Sequence, residues 1–246
     1  MAQITLSKEL HGNKRLKPPA DYNFLKRFPV VEVVMGEFSA AASVFPIFFI
    51  EREGGFSPIA LLSLLDGQNL FVDENGFWTG LYMPAAFRRF PFSVGPGEVD
   101  GKQGPVLMID EDSLSDDEGE KLFADEEKDE PNSPLGRALR LIAETDNSHM
   151  QTRKLIDELK EANIIRPADL TVQLNGEKHN IGGLYGVDEK LLTELSDEEF
   201  LKLRKSGALA LAHIQMLSVG QIQRLVQRHN VREEAAKSGE AAPKVD

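Results

Sequence analysis

Residues 69–78, Asn-Leu-Phe-Val-Asp-Glu-Asn-Gly-Phe-Trp, place an Asn-Gly pair between two short apolar runs. Asn and Gly adopt the left-handed backbone conformations that a tight hairpin turn requires, so this stretch predicts antiparallel strands at 70–73 and 78–83. Similar β-branched and aromatic runs lie on both sides, each bounded by Gly, Pro, Asn or Asp, at residues 30–34, 42–51, 58–65, 90–94 and 106–109. The pattern predicts an antiparallel β-rich body over residues 30–110. Residues 60–65 fit a strand or a helix by periodicity, and we interpret them as a strand that leads into an Asp66-Gly67 turn.

The carboxyl-terminal half of the sequence changes to helical periodicity. Apolar residues recur every three or four positions from 135 to 159, which predicts one long helix or two consecutive ones before Pro167. Signals for a hairpin and for helix ends follow at Asn175-Gly176, Asp188, Ser196 with Glu199, Gly207 and Ser218. The predicted fold class is therefore α+β, with an antiparallel β-rich amino-terminal body and a helical carboxyl-terminal part packed on it.

The predicted organisation of the chain is one compact unit with flexible additions. Residues 30–110 and 135–230 form the unit, and residues 1–29 form an extended, turn-rich arm. Residues 111–130 carry eleven acids and two lysines, a local charge of −9 out of the formal −12. We interpret residues 111–134 as a mobile acidic loop with one helical turn at 118–123. Residues 231–246, rich in Ala, Lys and Glu, are predicted to be a disordered tail.

The composition excludes several classes of protein. Without cysteine, the chain has neither a thiolate nucleophile nor a Cys-ligated metal site. The apolar windows are interrupted well before the roughly 20 residues of a membrane span, so no transmembrane segment is expected. The amino terminus lacks a cationic stretch followed by an apolar run, so a cytoplasmic location is expected, while surface association stays open. Because no basic stripe with interleaved aromatic residues is present, nucleic-acid binding is not expected.

Known catalytic motifs are absent from the sequence. It contains no GxxxxGK[ST] phosphate loop, no GxGxxG, no HExxH and no GxSxG. The histidines occur singly, without the close spacing of metal ligands, at His11, His149, His179, His213 and His229. We therefore predict neither a metal nor a cofactor, with a metal site assembled from distant segments as the alternative, and the sequence leaves open whether the protein is an enzyme.

Four candidate site residues lie in and after the Asn-Gly hairpin. Arg88 and Arg89 either stack on aromatic rings and pair with acids, or form a fork for a carboxylate or phosphate group. The fork is chemically reasonable because a planar guanidinium binds such a group at two points. Trp78 and Tyr82 either fill the core or contribute to the same ligand site.

Two further candidates are Asp110 and His213. Asp110 directly follows an apolar strand, where a carboxylate either projects into a site at the end of a sheet or caps the next turn. His213 lies in the apolar run 208–217 and is either a buried histidine with one backbone partner, or a base or ligand.

The order of several short motifs resembles the SapC family of bacterial proteins. In the β-rich body these motifs are Phe-Pro-Ile-Phe-Phe (45–49), Asn-Leu-Phe-Val (69–72), Gly-Phe-Trp (76–78), Tyr-Met-Pro-Ala (82–85), Arg-Arg-Phe-Pro-Phe (88–92) and Ile-Asp (109–110). In the carboxyl-terminal half they are Val-Asp-Glu-Lys-Leu (187–191), Leu-Ser-Asp (195–197) and His-Ile-Gln-Met-Leu-Ser (213–218). The resemblance spans residues 30–225. The family name implies association with a bacterial surface layer, and the resemblance supplies no catalytic residues.

Two functions are compatible with these observations. The first is a non-catalytic binding or assembly protein, with a surface-layer role implied by the family name. The second is a small-molecule-binding protein or an enzyme of a biosynthetic or nutrient-processing system, in which Arg88, Arg89, Asp110 and His213 converge on one pocket. The partner is in either case an unidentified protein or small molecule. A pocket lined by two or more of those four side chains would favour the second function.

Overall fold

The computed structural model describes residues 2–99, 101–125 and 127–238. The strands are β1 (Gln3–Thr5), β2 (Arg15–Leu16), β3 (Val30–Glu32), β4 (Ile47–Arg52), β5 (Gly55–Leu61), β6 (Phe92–Val99), β7 (Lys102–Asp110), β8 (Leu114–Ser115), β9 (Glu120–Lys121), β10 (Ile165–Pro167), β11 (Leu170–Leu174), β12 (Glu177–Ile181) and β13 (Tyr185–Val187). The α-helices are α1 (Lys8–His11), α2 (Phe38–Ala42), α3 (Ala85–Arg88), α4 (Pro134–Glu161), α5 (Glu189–Thr193), α6 (Asp197–Ser206), α7 (Ala208–Ser218) and α8 (Ile222–Ser238). No helix in the described ranges is long and apolar enough to cross a membrane.

The chain divides into two compact units. Unit 1 comprises Met1–Ala20 and Ala85–Asp146, and unit 2 comprises Asp21–Pro84 and Asn147–Asp246. The organisation expected from the sequence placed 30–110 and 135–230 together, whereas the observed boundaries fall inside both of these ranges.

Unit 1 is built on the long antiparallel hairpin of β6 and β7. Phe92 lies opposite Ile109 in this hairpin, and β1 pairs with the other edge of β7. Phe92 and Ile109 are buried in one hydrophobic cluster, whose other buried members are Leu122, Phe123, Leu135 and Ala138. The predicted strands at 90–94 and 106–109 are thus parts of one longer hairpin.

The acidic segment after β7 contains short strands. β8 and β9 pair with the two sides of β2, so the predicted helical turn at 118–123 is wrong. The chain approaches β2 so closely that a Cβ on Gly119 would collide with the carbonyl oxygen of Leu16. Leu122 and Phe123 are buried directly after β9. Main-chain pairing and two apolar anchors therefore override the helical interpretation of this segment.

Unit 2 contains a five-stranded antiparallel sheet with the strand order β10-β13-β4-β5-β3. Its centre is the β4–β5 hairpin, in which Ile47 lies opposite Ala60 and Arg52 lies opposite Gly55. Helix α7 packs on this sheet through Gln215, whose Nε2 donates to the Ile47 carbonyl over 2.9 Å. The amino-terminal half supplies three strands of this antiparallel sheet, the carboxyl-terminal half supplies two, and helix α7 packs on it. This combination confirms the predicted α+β class.

Several predicted strands of unit 2 are shorter than the apolar runs that suggested them. The run 42–51 is extended only from Ile47, because residues 38–42 form α2, and the run 58–65 ends as a strand at Leu61. The predicted hairpin at 70–73 and 78–83 is reduced to one bridge between Val72 and Trp78. Its turn is present, with Gly76 at φ 86°. These runs are apolar because they fill the core, which does not require a regular strand.

The helix and hairpin signals of the carboxyl-terminal half are mostly confirmed. Helix α4 is a single helix of 28 residues. Asn175 and Gly176 have φ values of 51° and 87°, as the turn between β11 and β12 requires. Asp188 caps α5, Ser196 and Glu199 form the capping box of α6, and Gly207 ends α6 in the left-handed conformation.

Two expectations about the last helices are wrong. Ser218 does not cap a helix: its hydroxyl accepts a hydrogen bond from the Ile47 N–H over 2.9 Å and donates to the Gln215 carbonyl over 2.6 Å. Helix α8 continues to Ser238, so residues 231–238 of the predicted tail are helical. Ala235 is buried and supplies an apolar contact in that stretch. Residues 239–246 lie outside the described residues.

Candidate functional site

Arg88 and Arg89 lie at the end of α3, where the chain turns into β6. Main-chain hydrogen bonds fix this turn: the Arg89 N–H donates to the Ala85 carbonyl over 3.2 Å, and the Phe92 N–H donates to the Arg89 carbonyl over 2.8 Å. Phe87 is buried, whereas both arginine side chains are exposed. The local fold therefore presents two adjacent guanidinium groups on the surface of unit 1.

These two arginines line a cleft of about 190 Å³ in unit 1, which we name the arginine cleft. Arg137 of α4 is the third charged residue of its lining. The other lining residues are apolar: Leu16, Phe90, Pro91, Phe92, Pro134, Ala138 and Leu141. Among the described residues, no carboxylate lines the cleft. A concentration of guanidinium groups beside an apolar wall suits an anionic group attached to an apolar body.

Arg137 is held in the cleft by Glu120 of β9. The Nη2 atom of Arg137 lies 2.6 Å from Glu120 Oε2, and its Nη1 atom lies 3.1 Å from Glu120 Oε1. The hydrogen bond to Arg137 lowers the pKa of Glu120 against a smaller, opposite effect of burial. The same bond raises the pKa of Arg137. Glu120 thus positions one of the three guanidinium groups that line the cleft and balances its charge.

Asp110 ends β7, as predicted, but does not line the arginine cleft. Its side chain is 2 % exposed, and its Oδ1 atom has no hydrogen-bond partner. Its N–H donates over 3.1 Å to the carbonyl of Pro91, which does line the cleft. Asp110 is therefore a buried neighbour of the cleft wall and not a ligand group that projects into the cleft.

His213 is exposed on α7 in unit 2, so the expectation of a buried histidine is wrong. The fully buried polar residue of that run is Gln215, which is 1 % exposed. Its Oε1 atom accepts a hydrogen bond from the Val187 N–H over 3.0 Å. The helix places His213 and Gln215 on different faces, a distinction that an apolar run without strict periodicity conceals. His213 does not line the arginine cleft.

Trp78 and Tyr82 take part in the packing of unit 2. The Trp78 ring stacks on Phe71 at a centroid distance of 5.7 Å, and its Nε1–H donates to the Tyr82 carbonyl over 3.1 Å. The Tyr82 hydroxyl donates to Glu37 Oε2 over 2.7 Å. Both polar groups are thus engaged within the fold, which agrees with the core interpretation of these residues.

A second cleft, of about 300 Å³, lies in unit 2 between the β4–β5 turn and the second half of α4. We name it the hairpin cleft. Its ionisable lining residues are Glu32, Arg52, Glu53, His149 and Arg153. The sequence does not indicate this cleft. The available signals were a Glu-Gly-Gly turn at 53–55 and the four-residue spacing of His149 and Arg153, neither of which is specific for a site.

Metal-binding geometry is not found in the part of the chain that the structure describes. There, no group of three or more His, Asp or Glu residues is placed to hold a metal ion.

The fold and the arginine cleft define an α+β protein with a cationic, partly apolar recess. Comparison with protein families gives the relationship: the SapC family model matches residues 6–225, and the chain belongs to the SapC family. No curated protein and no solved structure matches the chain.

Proposed function

We propose that this SapC-family protein is a non-catalytic binding protein whose arginine cleft takes a ligand with a carboxylate or phosphate group on a small apolar body. The observation that carries this proposal is the convergence of Arg88, Arg89 and Arg137 on one cleft with an otherwise apolar lining. Two of these residues are candidates that the sequence indicates on chemical grounds alone.

The size and lining of the cleft limit the ligand. A volume of about 190 Å³ equals that of about six water molecules in the liquid, so the bound part of the ligand is small. The wall beside the arginines is apolar and includes the partly exposed Phe90, which suits an aromatic or aliphatic body. The guanidinium groups favour an anion, because an N–H donor and the charge act together on the same oxygen atoms.

Isothermal titration calorimetry tests this proposal. It compares binding of two anions, phenylacetate and phenyl phosphate, with binding of neutral phenylacetamide. We expect both anions to bind and the amide to bind weakly or not at all. Replacing Arg88 and Arg89 together by alanine should weaken anion binding by roughly 10- to 150-fold, since hydrogen bonds to charged groups contribute about 1.5–3 kcal/mol. Higher salt should weaken binding to the unmodified protein.

The matched control removes the same charge elsewhere. Arg204 and Lys205 are exposed on α6 and are not lining residues of the arginine cleft, so the pair Arg204→Ala and Lys205→Ala changes the net charge equally and leaves the lining unaltered. Equal losses in the two double variants would show that net charge alone governs binding and would refute the site. The conservative pair Arg88→Lys and Arg89→Lys tests the fork, because lysine keeps the charge and loses the planar two-point geometry.

Assembly, with the surface-layer role that the family name implies, is the other candidate function. The observation in its favour is the exposure of large apolar side chains, of which Leu81 is 85 % and Leu217 is 79 % exposed. Single exposed apolar residues are common on monomers, so this support is weaker than the convergence in the arginine cleft. Analytical ultracentrifugation of the calorimetry samples distinguishes assembly from ligand binding. The average molecular mass of an assembly protein rises with protein concentration, whereas that of a ligand-binding monomer does not.

A further inference from the structure

The hairpin cleft in unit 2 has charged groups of opposite sign at its two ends. The pairing register locates them: Glu32 lies opposite Ile59 of β5, and Arg52 lies opposite Gly55. Ile59 and Gly55 are four residues apart, which is about 13 Å along a strand. On the facing helix, His149 Nδ1 is 3.7 Å from Glu32 Oε1, and Arg153 Nη2 is 3.4 Å from the Gly54 carbonyl oxygen. The cleft therefore has a Glu32 end and an Arg153 end.

The groups at both ends are accessible. The side chains of Glu32 and His149 are each 43 % exposed, and 3.7 Å is too long for a close hydrogen bond between them. The Arg153 side chain is exposed, and its contact with Gly54 is a long one that uses one of the five N–H donors of the guanidinium. Each end thus has capacity for an additional partner.

The charges of the lining balance. Two carboxylates, Glu32 and Glu53, face two guanidinium groups, Arg52 and Arg153, and His149 is the remaining titratable residue. Asp157 also lies near the Arg153 end, with Oδ1 3.4 Å from the position of a Cβ on Gly55. The Arg153 end therefore holds two guanidinium groups together with Glu53 and Asp157, whereas the Glu32 end has one carboxylate beside His149. Guanidinium donors at one end and a carboxylate acceptor at the other suit a ligand with an acceptor group and a donor group at its two ends.

The wall between the two ends contains an open strand edge. In the antiparallel ladder, the Leu61 N–H donates to the Pro46 carbonyl beside β4, whereas the Pro58 carbonyl accepts from the Val33 N–H on the side of β3. Main-chain groups alternate in direction along a strand, so the N–H and C=O of Phe56 point to the β3 side. The segment that follows β3 no longer pairs with β5 at Phe56, because the Met35 N–H donates to Thr152 Oγ1 over 2.7 Å and not to β5.

The conformation of the β4–β5 turn keeps the hairpin cleft open. Gly54 and Gly55 have φ values of 90° and 147°, and a Cβ on Gly54 would lie 2.8 Å from Arg153 Nη2. The Phe56 ring packs on Tyr185 at a centroid distance of 4.8 Å, which fixes the strand that presents the edge. Met150 lines the cleft although its side chain is 64 % exposed, and it offers an apolar contact at the rim.

We propose that the hairpin cleft binds a short, extended peptide of two or three residues with free termini. The peptide adds to the edge of β5 at Phe56, its ammonium group lies at Glu32, and its carboxylate lies at Arg153 and Arg52. A strand edge supplies main-chain hydrogen bonds without regard to side chains, and the charged ends select for length. The volume of about 300 Å³, equivalent to about ten water molecules, suits a dipeptide or a small tripeptide. This site is separate from the arginine cleft and does not depend on the function proposed for it.

The test uses the full chain and measures binding of Ala-Ala and Ala-Ala-Ala by two-dimensional NMR of backbone amides. We expect saturable shifts at millimolar peptide, with the Phe56 amide among those that move. Free alanine, which is too short to reach both ends, and Ala-Ala with an acetylated amine and an amidated carboxylate should each bind at least tenfold more weakly. Equal binding of the blocked peptide, or shifts that leave the Phe56 amide unmoved, would overturn the proposal.

Variants assign the two ends. Glu32→Gln should weaken binding of free Ala-Ala at least tenfold and leave binding of the amine-acetylated form unchanged. Arg153→Gln should weaken binding of free Ala-Ala at least tenfold and leave binding of the carboxyl-amidated form unchanged. The controls Glu198→Gln and Arg204→Gln, both exposed on α6, should bind as the unmodified protein does. Should Glu32→Gln fail to fold, Met150→Ala at the exposed rim replaces it, with weaker binding expected. Variants at either end that bind as tightly as the controls would refute the assignment.

Discussion

At the scale of single residues, Gln215 is the polar side chain that connects a helix of unit 2 to its sheet. Its amide group satisfies the Ile47 carbonyl of β4 and the Val187 N–H of β13. A buried main-chain group that loses its hydrogen-bond partner is destabilising. The Gln215 side chain therefore stabilises both β4 and β13. The candidate from the same run, His213, has no such role because it is exposed.

Gln215→Ala should lower the free energy of unfolding by about 2 kcal/mol, since it leaves the Ile47 carbonyl buried without this partner. The measurement is the urea midpoint followed by circular dichroism. His213→Ala, two positions earlier on the same helix, is the control and should change stability by less than about 0.5 kcal/mol. Similar midpoints for the two variants would contradict the role given to Gln215.

His229 on α8 is expected to make the stability of unit 2 dependent on pH. Burial lowers the pKa of His229 from its ordinary 6.5, Glu233 acts in the opposite direction, and His179 and Arg232 lower it further. The unfolded chain therefore binds more protons just below pH 6.5, and stability falls as the pH falls through this value. His229→Gln should reduce that loss in urea unfolding between about pH 5 and 7, whereas His213→Gln should retain it. Identical pH profiles for the two variants would refute this assignment.

At the scale of elements, the hairpin of β11 and β12 shows what a sequence predicts well. Asn175 and Gly176 adopt the left-handed conformation that the turn needs, and the strands pair over five residues on each side. The capping box of α6 is equally local, with Ser196 and Glu199 only three residues apart. Such signals can be recognised in a sequence because the residues that determine the local structure lie within a few positions of one another.

Gly176→Ala should destabilise the protein by about 1 kcal/mol, because a side chain at φ 87° is strained even though no atom lies within 4 Å of the added Cβ. Gly182 also has open space around an added Cβ, without a positive φ. Thermal unfolding of Gly182→Ala is therefore the control, and it should match the unmodified protein. A loss of stability in both variants, to the same extent, would exclude backbone strain as the reason.

Elements whose form depends on distant partners were predicted less well. The apolar runs at 70–73 and 78–83 predict two strands, but Phe71 and Trp78 pack with Phe45, and only one bridge remains. The segment 118–123 contains β9 because it meets β2, more than a hundred residues earlier in the chain. Periodicity within a window contains no information about such partners.

At the scale of the whole molecule, the same limit applies to the candidate sites. Arg88 and Arg89 were identified by their chemistry, but Arg137 joins them through the folding of α4 and its hydrogen bonds to Glu120. The hairpin cleft combines Glu32 with His149, more than a hundred positions later. Adjacent residues are recognisable in a sequence, whereas groups that meet through tertiary structure are not.

Unit 2 is discontinuous in the chain, and this has a consequence for its synthesis. The hydrogen-bond donor to the Ile47 carbonyl is Gln215, which follows 168 positions later in the chain. At a ribosomal rate of 5–20 residues per second, the strands of the first segment emerge roughly 10–30 s before the helix that completes them. During that interval β4 and β5 expose apolar faces, so a chaperone that shields nascent chains is expected to act on this part of the protein, and truncation before residue 215 should yield aggregates.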